Sequence, residues 1–222
     1  MWIAHYSAGL VAKVFAPGVP LWLLTLASEI TDAQFFVFNL LGLESWSVDP
    51  ALAKKGCFPY ATNYPWSHSL AGMAITGVVL AGLYKAYSSR RVTVKDLLAI
   101  VLTTVSHFLY EWPAHRQDVK IAPHDKTSFG AGLFDYPATL FVLETAIFFA
   151  GLKAYTSYAP LSTRAGYKHN SNRMKAVVAV FLFQQAQFCF GFAPTENARW
   201  VHAPLFLSMI LGSSWLLGKL EA

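Results

Sequence analysis

The chain has 222 residues, 55% of them hydrophobic, and only 29 are charged (17 Lys and Arg, 12 Asp and Glu), a share of 13%. Soluble domains carry about 25% charged residues, so disordered, collagen-like and solenoid proteins are excluded and a soluble enzyme is disfavoured. The net charge of +5 brings no basic stripe or groove-reading helix with it, so no nucleic-acid partner is expected. The charges are also segregated. Residues 56–84, 176–195 and 200–218 carry none, and Glu144 stands alone between Asp135 and Lys153. A span of about 20 apolar residues crosses a bilayer, and the chain reads as one polytopic membrane domain.

Seven apolar segments follow in chain order. The first, Ile3–Ala16, is short and ends at Pro17-Gly18. The second is Leu21–Leu43, followed by a polar loop over residues 45–66 that contains prolines. The third is Ser67–Tyr87, with Ser67 expected to cap its N-terminus. The fourth is Asp96–Trp112, stopped by Pro113, because proline disfavours helix at the residue before it. A second polar loop covers 114–132. Leu133–Tyr155, Met174–Phe192 and Trp200–Gly218 complete the set. The expected fold is therefore all-α, a transmembrane helical bundle of six to seven spans, with no removable signal peptide. Residues 156–222 supply additional helices.

Lys and Arg sort unevenly, with eleven of the 17 on the side of the loop between segments three and four, and six on the other. The positive-inside rule places the first side in the cytoplasm. The two cysteines, Cys57 and Cys189, exclude a CxxC site, and inert buried thiols are preferred over their pairing.

Ionisable residues inside spans are costly and mark function by default. Glu29 and Asp32 are three apart, and His107 and Glu111 four apart, so each pair shares one helix face. The alternating topology brings His5, Asp32, His68, His107 and Glu111 to one half of the membrane, the non-cytoplasmic half, with His115 and Asp118 in the loop just beyond. Imidazole plus carboxylate is the donor set for zinc, and for iron or manganese with more open positions. Bland readings stand beside this one. Glu29 is expected to pair with Lys13 or a neighbouring helix, and Glu144 to make a packing or supporting hydrogen bond. Gln184, Gln185 and Gln187 are expected to bond other helices, and His124, His169 and His202 to be solvated.

The motifs resemble those of a bacterial inner-membrane family of membrane-bound metal-dependent hydrolases. Ser67-His68-Ser69 is similar to its T/S-H-S motif and Ser106-His107 through Glu111 to its S-H-x-x-x-D. His115-Arg116-Gln117-Asp118 resembles an H-R-P-D stretch, Ala4-His5 through Gly9 a G-H-x-x-x-G opening, and Ile30-Thr31-Asp32 an L-x-D. Leu133 through Pro137 and Glu144 sit where one branch has an L-W-N-x-P-like turn and an intramembrane Glu. The likeness covers residues 1–155. Only one Asp of the family's P-D-x-D-H is kept, no His-Arg-Gly precedes His68, and Glu111 stands for Asp, so a single ion is favoured over two.

The resemblance implies a metal-dependent hydrolase, and a site sunk below one interface suits an amphiphilic or lipid-like substrate. His5, Asp32, His68 and His107 are the candidate ligands, three or four of them binding the ion. Glu111 serves as a further ligand or general base, and His115 and Asp118 as substrate-orienting or acid groups. A proton- or cation-coupled transporter built on the same cluster, and a haem or quinone protein with His68 and His107 as axial ligands, remain as alternatives.

Overall fold

The computed structural model describes residues 2–192 and 195–221. It is mostly helical, 69%, and each of the seven apolar segments forms a helix. A single 3-10 turn, Ile3–His5, leads directly into α1 (Tyr6–Phe15). Pro20 opens α2 (Leu21–Leu41), which Gly42 closes in the left-handed region at φ 79°, the conformation glycine adopts at least cost. The loop that follows is more ordered than its composition suggests. Strands β1 (Ser45–Val48) and β2 (Tyr60–Asn63) pair antiparallel, Ser45 opposite Asn63 and Val48 opposite Tyr60. The one-turn α3 (Pro50–Ala53) connects them, capped by the Asp49 carboxylate.

Next come α4 (Leu70–Tyr87) and α5 (Val94–Ala114). Two boundary expectations are corrected here. Ser69, not Ser67, caps α4, accepting from the Gly72 N–H. Pro113 lies within the last turn of α5 rather than ending the helix before it. So close to the end, its missing N–H removes one hydrogen bond only, and the His115 N–H still reaches the Glu111 carbonyl at 2.8 Å. The remaining helices are α6 (Pro137–Tyr158), α7 (Ala165–His169), α8 (Ser171–Phe190) and α9 (Ala203–Gly218), the last preceded by a π turn over Ala198–His202. Among the described residues, five helical stretches are long and apolar enough to cross a membrane: α2, α4, α5, α6 and α9 with its π turn.

The short first helix explains the architecture. With ten residues, α1 sits inside the bundle against α2, α5 and α6, burying Tyr6, Ser7, Gly9, Leu10 and Lys13. Close approach depends on two glycines. A Cβ on Gly9 would stand 2.5 Å from the Leu24 carbonyl oxygen of α2, and one on Gly151 of α6 would stand 2.6 Å from Ser7 Cα. Small residues at such crossings let helices pack backbone to backbone where lipid supplies no hydrophobic drive.

At the opposite end of α1, Lys13 is completely buried. Its expected partner was Glu29; instead its ammonium lies 2.5 Å from Glu221 and donates to the carbonyls of Pro17 and Val19. The second Glu221 oxygen accepts from the Leu21 N–H, at 2.7 Å, at the start of α2. A cation at this depth needs all its donors satisfied. Lys13→Met is therefore expected to lower the melting temperature in detergent by about 5 °C, measured by thermal unfolding of the purified protein.

Candidate metal centre

The end of the bundle beneath the β1–β2 hairpin gathers the polar residues that the spans should not contain. His5 is presented by the turn before α1. Glu144 of α6 fixes this turn: its carboxylate accepts the Trp2 N–H at 2.6 Å and the Ala4 N–H at 3.2 Å, satisfying donors a helix start leaves orphaned. The expected supporting hydrogen bond of Glu144 is thus a clamp on the His5 segment. Glu29 and Asp32 project from one face of α2, and His107 and Glu111 from one face of α5. His68 sits in the turn before α4.

These side chains converge. His68 Nε2 lies 3.1 Å, and His107 Nε2 3.4 Å, from the same Asp32 oxygen, Oδ1. His5 Nε2 lies 2.9 Å from Glu111 Oε1, and Glu111 is also 3.7 Å from His107 and 3.8 Å from His68. Two overlapping groups could hold an ion, with His107 common to both: His5, Glu29, Asp32 and His107, and His68, His107 and Glu111. All six side chains are buried or nearly so. Four donor atoms about 2.0–2.1 Å from a tetrahedral ion stand roughly 3.3 Å from one another, and the approaches of His68 and His107 to Asp32, at 3.1 and 3.4 Å, are of that size.

The far side of each ring bears on its donor state. His107 Nδ1 lies 2.7 Å from the Ser28 carbonyl oxygen and donates its proton there, which makes Nε2 the nitrogen that faces Asp32 and could ligate an ion. Among the described residues that Nε2 has no hydrogen-bond partner, nor does either Glu29 oxygen. Buried polar atoms without partners are rare and point to a missing group. For His68 the support is a chain. Glu44, buried, accepts from the backbone N–H groups of Trp66 and Ser67 at 2.7 and 2.9 Å and from the Ser67 hydroxyl at 2.6 Å. The hydroxyl oxygen is then free to accept from His68 Nδ1, 2.8 Å away. Ser67 therefore orients a histidine instead of capping a helix.

A second constellation adjoins the first. His115 Nε2 contacts a Glu111 oxygen, and its Nδ1 lies 3.0 Å from Asp118 and 2.8 Å from the Tyr64 hydroxyl, which itself donates to Asp118 at 2.5 Å. Burial opposes charging of this imidazole, but the Glu111 and Asp118 carboxylates outweigh it and raise its pKa to about 9. Asp118, despite partial burial, is held below the ordinary carboxylate range by His115 and the Tyr64 hydroxyl. Burial and the Asp118 charge push the Tyr64 phenol well above its usual value.

A cavity of about 40 Å³ opens onto Asp32, His68, Glu111 and His115. Its remaining wall is aromatic, and no Lys or Arg lines it. That volume holds water between polar partners.

Every residue proposed from sequence as ligand or acid–base group lies in this one region. Glu29, Tyr64, Glu44 and Ser67 were not assigned to it. Glu29 carried a signal in its three-residue spacing from Asp32. Glu44 carried none, since its partner Ser67 is 23 positions away. His202, expected to be solvated, is completely buried and its Nδ1 lies 3.0 Å from the Tyr60 hydroxyl, because the hairpin folds over it. His124 and His169 are exposed as expected, and Gln184 bonds Ser213 of α9. Compared with family models, curated proteins and solved structures, the chain matches none.

Proposed function

We propose that the protein is a multi-pass membrane hydrolase whose His and carboxylate cluster binds a divalent metal, zinc first, with iron or manganese as the other candidates. The carrying observation is the approach of His68 Nε2 and His107 Nε2 to one oxygen of Asp32, at 3.1 and 3.4 Å. Their Nδ1 atoms face Ser67 and Ser28. Such outer hydrogen bonds set the tautomer and orientation of metal-ligating histidines. When bound, the ion would bring a coordinated water toward a pKa of about 7 and polarise a substrate carbonyl.

The chain's own groups divide the remaining work. Three of these residues hold the ion, His107 with His5 and Asp32 or His107 with His68 and Glu111. Glu111, in contact with the cluster and with His115, receives the proton of the attacking water at a carboxylate oxygen. His115, kept protonated by Glu111 and Asp118, is placed to donate from Nε2 to a leaving oxygen. Tyr64 and Asp118 hold its ring in that orientation. The aromatic wall without Lys or Arg suits an uncharged amphiphile, such as a lipid carboxylic ester, over a phosphate ester. The motif resemblance supports the same reaction class. Concentration of the polar residues at one end speaks for a site over a transport path.

In the membrane, α8 joins the five apolar stretches as a sixth span, while α1 stays inside the bundle. The charge asymmetry of the loops then puts the metal end on the non-cytoplasmic side. Reporter fusions at Ser88 and Pro123 should report opposite sides.

Elemental analysis of the detergent-purified protein is the direct test. About one equivalent of a single divalent metal per chain is expected; less than about a tenth would overturn the proposal. Ser67→Ala should keep the fold and weaken metal affinity about 10- to 100-fold, read by competition with a chelator.

A further inference from the structure

The two cysteines lie over a hundred residues apart in sequence, yet the fold sets both, as free thiols, in one apolar cluster around Phe134, and Cys57 shares a cleft with Gln187, Phe188 and Gly191, which bracket Cys189. Cys57, in the segment between α3 and β2, donates its backbone N–H to the Phe134 carbonyl at 3.0 Å, and its thiol points to the same oxygen at 3.6 Å. Cys189, in the last turn of α8, is buried beside it in the same apolar cluster and accepts from the Gln185 amide at 3.2 Å. Cys57 also opens onto a cleft bordered by Pro59, Gln187 and Gly191, so one thiol of the pair can be reached from outside. In the orientation proposed above, this end of the bundle faces the oxidising side of the membrane, where disulfides form and persist.

We propose that Cys57 and Cys189 are joined by a disulfide, made by exchange with the disulfide of a thiol oxidoreductase. The Cys57 thiolate attacks one sulfur of the oxidoreductase disulfide, giving a mixed disulfide and releasing one of its sulfurs as a thiolate. The Cys189 thiolate then attacks Cys57 Sγ, the Cys57–Cys189 bond forms, and the second oxidoreductase sulfur leaves. The chain loses two electrons and two protons, and the oxidoreductase ends as a dithiol.

The cross-link has a local consequence. Phe58, next to Cys57, stacks on Phe134 at 4.6 Å, and Phe188, next to Cys189, packs on Phe134 at 5.9 Å. All three rings line the cavity over Glu111 and His115. The disulfide would clamp that wall to α8.

The proposal rests on the orientation and not on the metal, so elemental analysis fails or succeeds separately from it, and the reporter fusions test its premise. Membranes are acid-quenched, denatured in SDS with N-ethylmaleimide, and the protein is digested for mass spectrometry with and without prior reductant. The expected result is a linked Cys57–Cys189 peptide pair without maleimide, converted to two labelled cysteines by reductant. Maleimide on either cysteine in most unreduced chains would overturn the proposal. Reductant should also lower the melting temperature of the wild type by about 5–10 °C and leave Cys57→Ser unchanged; identical shifts in both would overturn the clamp.

Discussion

Alanine at His68 or at His107 is expected to strip the protein of its metal, to about a tenth of an equivalent or less, while His169→Ala retains it in full. Each of the two imidazoles approaches Asp32 Oδ1 through Nε2. His107 belongs to both groups of ligand-capable atoms, so its loss affects either choice of donors. The apo protein should also be the less stable one, because Glu29, Asp32 and Glu111 would share a buried space with only the histidines to offset them. A chelator should therefore lower the melting temperature of the wild type and have no effect on either variant. His169 is exposed on α7 at the opposite end, which makes it a control for substitution itself. Elemental analysis of the three purified variants checks the expectation, and retention of metal in both His68→Ala and His107→Ala would remove the cluster as the binding site.

The second large effect is expected at a residue that offers no donor atom of its own. Gly9→Val should abolish metal binding and destabilise the bundle by about 3 kcal/mol or more. Space for a side chain does not exist there: a Cβ would stand 2.5 Å from the Leu24 carbonyl oxygen and 2.6 Å from Thr25 Cα, both rigid backbone. The helix α1 must move away from α2, and His5 moves with it. Gly9→Val would thus separate α1 placement from ligand chemistry, since all named donors remain in the sequence. Measuring metal content and thermal unfolding on the same preparation tests both halves. Normal metal content in this variant would mean that His5 is not a ligand.

The helices and their order were legible in the sequence because charge-free runs and their flanking prolines and glycines report spans directly. The depth of His68, His107 and Glu111 followed from the same alternation of direction, and the four-residue spacing put two of them on one face. Other features left no such trace. The hairpin over residues 45–63 comes from a loop-like composition, and its pairing depends on tertiary cover of Trp46 and Tyr60, which stack at 4.1 Å. The partner of Lys13 lies 208 positions away, beyond any local pattern, so the nearer carboxylate looked more attractive. The supporting chain of Glu44, Ser67 and His68 is likewise a property of the folded loop. Sequence spacing reports what shares a helix face; it is silent on which loop closes over that face.

The lock between Lys13 and Glu221 bears on the order of assembly. The helix that presents His5 at one end is fastened at its other end by a carboxylate that follows α9, and the same carboxylate holds the first N–H of α2. Translation delivers α1 first and its fastening only after all the other helices have emerged. A metal ion arriving early therefore meets a set of donors whose first member is still unanchored. On the proposed metal reading, the ion site and the closure of the chain would mature together, and loading with metal would be a late event in biogenesis.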